Sequence, residues 1–203
     1  MDKKIAIRQL IEIGKYGRNM RLAAEGWDSQ WQTLTAIILS ARTRDEVTIE
    51  VCKKLFSRYK ALNELAGAKL EEVSQIIRPV NFYRNKSKNI INCSKNLRDS
   101  FNGIVPHDID LLISLPGVGR KTANVFLAEH EHDAIGVDTH VSYISQKLRW
   151  VKSNNPYKIE MELRKLFPRK YWNIINPYLV RFGKTYISRK QKSSILESIS
   201  EIR

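Results

Sequence analysis

Asp110-Leu111-Leu112-Ile113-Ser114-Leu115-Pro116-Gly117-Val118-Gly119-Arg120-Lys121-Thr122-Ala123-Asn124-Val125-Phe126-Leu127 reads as helix, tight turn, helix. Leu111, Leu112 and Leu115 before the turn, with Val125 and Phe126 after it, supply apolar faces for packing two short helices together. Pro116 and the two glycines set the turn. Gly117 and Gly119 allow positive φ and leave backbone N–H groups bare of side chains, so a phosphate can approach the positive end of the second helix. Gly117, Val118, Gly119 and Arg120 are therefore the expected grip on a nucleic-acid backbone, one that is indifferent to base sequence.

Lys121 falls in the first turn of that second helix, where the helix dipole disfavours a positive charge and favours the neutral, nucleophilic amine. The same position also suits a plain phosphate contact, and spacing does not separate the two. Seventeen residues on comes Gly136-Val137-Asp138-Thr139-His140. Asp138 follows a loop and precedes the helical pattern Val141, Ile144, Leu148, which makes it a candidate N-cap. A carboxylate there either caps the helix alone or also stabilises an oxocarbenium-like sugar and orients an attacking amine.

Outward from this core, apolar residues recur at helical spacing: Ile7, Leu10, Ile11, then Trp31, Leu34, Ile37, Ile38, Ala41, then Val47, Val51, Leu55. Breakers at 14–26, 57–61, 78–79, 102–106, 115–119, 131–137 and 153–156 divide the chain into about nine or ten short helices. No alternating β pattern, fixed-period repeat or low-complexity tract occurs. Residues 33–41 are apolar nearly all round and predict a central buried helix.

The composition narrows the partner. The chain carries 35 Lys and Arg against 21 Asp and Glu, a net charge of +14 over 203 residues, which favours a polyanion over a small neutral ligand. Residues 152–192 hold 11 basic residues and only Glu160 and Glu162; residues 78–98 hold six and no acid. Aromatics and amides interleave with them, as in Asn81-Phe82-Tyr83-Arg84-Asn85-Lys86, a mixture suited to phosphates and stacked bases rather than lipid. There is no run of about 18 apolar residues and no signal-peptide pattern. A soluble, intracellular, cytoplasmic or nucleoid protein is expected. Cys52 and Cys93 stand far apart, which excludes a CxxC redox pair and a four-cysteine metal site within this sequence. His130 and His132 flank Glu131 without the spacing of a zinc protease and are expected to be solvated, with His140 structural.

Taken together, Leu115 to Asn124 and Val137 to His140 resemble the LPGVGRKTAN and VDTH motifs of the helix–hairpin–helix DNA glycosylase superfamily, most closely its endonuclease III branch. Residues 38–45, 83–89 and Arg181-Phe182-Gly183 extend the resemblance over roughly residues 30–190. The resemblance implies an all-α fold of two helical lobes flanking a DNA-binding cleft. One lobe would span residues 26–131, with the hairpin at about 108–130; the other would join residues 1–25 to 132–203. It also implies Lys121 as nucleophile and Asp138 as catalytic carboxylate of a bifunctional DNA glycosylase and AP lyase. The expected partner is double-stranded DNA carrying a damaged base or abasic site, bound by a monomer. Oxidised pyrimidines are the expected substrate. A glycosylase for 8-oxoguanine or a mismatched base, and a non-catalytic DNA-binding module, remain as alternatives.

Two departures from the branch bear on function. Its typical members end in a four-cysteine motif for an iron–sulfur cluster, whereas here residues 184–192 contain no cysteine, so no cofactor is expected. Lys184, Arg189, Lys190 and Lys192 keep the basic character of that segment and are expected on phosphates. Where the branch has Gln after Leu-Ser-Ala, this chain has Arg42; where it has Gly-Leu-Tyr, this chain has Asn81-Phe82-Tyr83. Arg42 is expected to bond the orphaned base and Phe82 to wedge into the stack.

Overall fold

The computed structural model describes residues 1–202; Arg203, which the second expected lobe included, lies outside the described residues. All the described regular structure is helical: α1 (Lys3–Tyr16), α2 (Gln30–Ser40), α3 (Asp45–Arg58), α4 (Leu62–Ala66), α5 (Leu70–Ile76), α6 (Tyr83–Phe101), α7 (Ile109–Ser114), α8 (Arg120–Glu129), α9 (Thr139–Lys147), α10 (Pro156–Leu166), α11 (Trp172–Thr185) and α12 (Arg189–Ser200), with a 3-10 turn at Arg169–Tyr171. Among the described residues, twelve α-helices replace the nine or ten expected, because α4, α5 and α7 are too short to show a periodic stripe. No described helix is long and apolar enough to cross a membrane.

The chain forms two compact units, Met1–Met20 with Leu127–Arg203, and Arg21–Phe126; the boundary falls inside α8. In the first unit, Ala6, Leu10 and Ile13 form the buried stripe of α1 and join Ile175, Leu179 and Phe182 of α11 in one core. Gly14 does not break α1. It sits within the helix because a Cβ there would fall 2.6 Å from the Tyr178 ring, so glycine allows α1 and α11 to approach closely. Trp150 closes the same core, donating its indole N–H to the buried Gln9 side chain at 2.7 Å.

The second unit is built on α2, whose residues from Gln32 to Leu39 are all buried; of the expected buried stretch 33–41, Ser40 is half-buried and Ala41, past the helix end, is exposed. α2 packs on α3 and α6, and α6 in turn on α4 and α5. α6 ends at Asn102 and Gly103, both left-handed (φ 50° and 78°), where the Gly103 N–H returns to Leu97 O at 2.8 Å. This is the αL termination that Asn-Gly chemistry favours.

Candidate active site and nucleic-acid interface

The hairpin forms as its sequence predicts, with differences in detail. Asp108 caps α7, accepting from Asp110 N (2.9 Å) and Leu111 N (3.0 Å). Leu112 and Leu115 are buried and carry the packing, but Leu111 is exposed, because a six-residue helix has room for only one inward stripe. Gly117 has φ 82°, and a Cβ on it would lie 2.8 Å from that of Asn89 on α6, so two independent constraints demand glycine. Gly119 is not left-handed, contrary to the expectation of positive φ at both glycines; nothing stands within 4 Å of a Cβ built on it. Its contribution is bare, open backbone. The Val118 side chain is buried and its N–H closes the turn onto Leu115 O at 3.1 Å, so within the expected grip Val118 serves the turn. Arg120 opens α8 and Lys121 follows it, half-buried, in the first turn.

In the other unit, Asp138 is the N-cap of α9 in extended conformation, with Oδ1 accepting from Val141 N at 2.8 Å. It is half-buried, so the carboxylate is not consumed by the core. His140, two residues on, lies over Gly183 of α11, where a Cβ would collide with His140 Nδ1. The glycine of Arg181-Phe182-Gly183 thus makes space for the ring beside the cap. His130 is half-buried and His132 exposed.

Arg42 and Phe82, forty positions apart in sequence, meet in space. Both are left-handed (φ 57° and 59°), both exposed, and the Arg42 guanidinium lies 5.1 Å from the Phe82 ring centroid. Non-glycine residues in this region cost about 1–3 kcal/mol each, more than an exposed cation–π contact returns, about 0.5–1 kcal/mol. The balance comes from hydrogen bonds that tie their two loops together. Asn81 Nδ2 donates to Arg42 O, and Asn81 N donates to Thr43 Oγ1 at 3.1 Å. Beneath them, the buried Lys86 ammonium donates to Leu39 O (2.7 Å), Ala41 O (2.6 Å) and Thr43 Oγ1 (3.4 Å). Bonds from a charged donor contribute about 1.5–3 kcal/mol each. Burial pushes the Lys86 amine down to about 8.

Sequence reasoning missed Lys86. A signal was present: Lys86, Ile90, Cys93 and Leu97 follow the same helical stripe of α6, so a lysine stands where the pattern asks for an apolar residue. Asn81 was equally hidden, since its bonds run to residues about forty positions away.

The basic C-terminal segment lies in the first unit. Lys184 is half-buried at the end of α11; Arg189 and Lys190 are exposed at the start of α12; Lys192 places its Nζ 5.9 Å from the Tyr143 ring. Tyr143, Ile187, Arg189 and Lys192 line a cavity of about 230 Å³. Behind them, Leu196 and Ile199 of α12 are buried in the core, and Tyr186 packs on Phe182 with ring centroids 5.1 Å apart. Cys52 and Cys93 are buried in the second unit, and burial pushes both thiols up to about 12.

A family model described as HhH-GPD superfamily base excision DNA repair protein matches residues 35–169. The endonuclease III of Thermotoga maritima is 43% identical over 155 residues, covering 76% of this chain and 73% of that protein. The endonuclease III of Synechocystis is 38% identical over 162 residues, covering 79% and 74%. A solved structure of a trapped endonuclease III–DNA covalent intermediate superposes with a TM-score of 0.85 at 33% identity, covering 94% of this chain and 90% of the other. With a family match over most of its length and relatives of this identity, the chain belongs to the HhH-GPD superfamily of base excision DNA repair proteins, among the endonuclease III-like members.

Proposed function

We propose that the protein is a bifunctional DNA glycosylase and AP lyase that removes a damaged base from duplex DNA and then nicks the strand. Lys121 is the nucleophile. Its Nζ attacks C1′ of an extruded nucleotide, the C1′–N bond breaks, and the base leaves with the electron pair and takes up a proton. Loss of a proton from the amine and opening of the sugar leave a Schiff base. That iminium acidifies C2′; loss of a C2′ proton drives the electrons toward C3′ and expels the 3′ phosphate. Water then releases the enzyme. Asp138 stabilises positive charge developing on the sugar while the base departs.

The observation that carries this reading is the joint presence of a lysine in the first turn after a glycine-bare helix start and a half-exposed carboxylate capping α9. A DNA-binding module needs the hairpin but not a carboxylate at this distance from it, since the cap on α9 can also be made by an uncharged residue. The proposed duplex contacts are Gly117, Gly119 and Arg120 on one unit, and Lys184, Arg189, Lys190 and Lys192 on the other, all on phosphates. Val118 shapes the turn. Arg42 and Phe82 are the proposed wedge. An exposed aromatic in strained backbone beside a guanidinium is poorly explained by packing and well explained by insertion into a base stack.

The family implies an iron–sulfur cluster, and the residues of this chain do not fit one. Residues 184–202 offer no sulfur ligand. Leu196 and Ile199 are buried in the core of that unit, and Tyr186 packs on Phe182.

Borohydride trapping tests the reading on duplexes carrying an abasic site, thymine glycol, uracil or 8-oxoguanine. A covalent adduct that disappears in Lys121→Ala is expected, and the panel ranks the lesions. Absence of an adduct on every duplex defeats the lyase. Arg42 and Phe82 favour a second reading of the substrate alone: a lesion other than an oxidised pyrimidine, which the same panel detects.

A further inference from the structure

Lys86 is a buried cation in a place where an apolar side chain would continue the stripe of α6. Its side-chain hydrogen bonds all go to one short stretch, Leu39, Ala41 and Thr43, on either side of Arg42. Its backbone N–H donates to Phe82 O at 3.1 Å. One residue therefore holds the carbonyl of Phe82 and the carbonyl immediately before Arg42. Thr43 Oγ1 receives both Lys86 and the Asn81 N–H, and Asn81 returns to Arg42 O, which closes the network.

We propose that Lys86 is the positioning residue of the duplex-opening wedge: by locking residues 39–43 to residues 81–82, it sets the placement of Arg42 and Phe82 and hence the efficiency with which a paired nucleotide is driven out of the stack. The proposal rests on the reading of Arg42 and Phe82 as the wedge. It follows from the chemistry of the donors. An ammonium on a four-carbon stem can satisfy several acceptors around the end of α2, whereas an apolar residue would leave Leu39 O and Ala41 O without that donor and free the loop. A wedge that is about one ångström misplaced pushes on the wrong atoms, although Lys121 and Asp138 are untouched.

The test separates positioning from mere folding. Single-turnover excision is measured on whichever of thymine glycol, uracil or 8-oxoguanine the wild type removes fastest. Each lesion is placed in a fully paired duplex and in the same strand annealed to a complement that lacks the opposite nucleotide, where extrusion is already largely complete. Lys86→Met should lower the paired rate on the order of tenfold or more relative to the bulged rate. The same substitution in a Phe82→Ala background should add little. Asn81→Ala, at an exposed position, and Thr43→Val should show the same paired-selective loss in a smaller degree, and they keep the test open if Lys86→Met folds poorly. Equal losses on both substrates, or full additivity with Phe82→Ala, overturn the proposal. A paired-to-bulged ratio unchanged by Phe82→Ala overturns the wedge and the proposal with it. No excision or adduct by the wild type on any duplex is the distinct failure of the function itself.

Discussion

Asp138 caps α9, and substitution can separate that from the catalytic role proposed for it. Its Oδ1 accepts from Val141 N, a bond that an asparagine also makes, so Asp138→Asn keeps the cap while removing the charge. We expect Asp138→Asn to retain the wild-type Tm and to lose excision by about two orders of magnitude or more, as for other removed transition-state stabilisers. Asp138→Ala should lose excision as well and also about 0.5–2 kcal/mol of stability, read by urea unfolding. An excision rate near wild type in Asp138→Asn would leave the residue as a cap and nothing more. Lys86 offers a second check through pH. Its folded value of about 8 lies below the ordinary 10.5, so between these two pH values the unfolded chain binds the proton that the folded chain has released. Stability of the wild type relative to Lys86→Met should therefore be flat below about pH 8 and rise from there toward 10.5. A difference that stays flat over that range and falls only above 10.5 would mean that the carbonyl acceptors outweigh desolvation.

At the scale of the element, the hairpin assigns different work to its two glycines. Gly117 is left-handed and pressed against Asn89, whereas Gly119 opens onto empty space. Gly117→Ala is expected to destabilise the protein by about 1–3 kcal/mol. Gly119→Ala should leave Tm nearly unchanged and weaken DNA binding, since a methyl group then stands where a phosphate approaches the helix start. Thermal unfolding and binding to an uncleavable abasic-analogue duplex check both. If Gly119→Ala bound as tightly as the wild type, the phosphate would not approach there. Much of this element was legible: the turn and the position of Lys121 in the first turn of α8 follow from local sequence rules. The sidedness of α7 was not, because Leu111 and Leu112 are equally apolar and only packing decides which one is buried.

For the whole molecule, a net charge of +14 predicts binding dominated by counterion release. Joint neutralisation of Arg189, Lys190 and Lys192 to Gln should lower the slope of log K against log salt by about 0.9 for each phosphate that these side chains neutralise in the wild type. Because the three side chains are exposed or half-buried, Tm should stay close to wild type. An unchanged slope would place the phosphates elsewhere on the basic surface. The unit that carries these residues is held by α1, α9, α10, α11 and α12 around a single apolar core, in which Leu196 and Ile199 anchor α12.

The sequence by itself determined the helical class, the hairpin, the cap at Asp138 and the cationic character. Each of these depends on composition or on residues within a turn or two of one another, where periodicity, glycine and capping chemistry act. Only the tertiary structure decided that Gly14 lies inside a helix rather than ending one, since the cause is the ring of Tyr178, at the far end of the chain. The same holds for the left-handed pair Arg42 and Phe82 and for the buried charge of Lys86 that ties their loops. A side chain's local neighbours limit the backbone it prefers, but a strained backbone persists only where distant groups hold it, and those contacts exist only once the chain has folded.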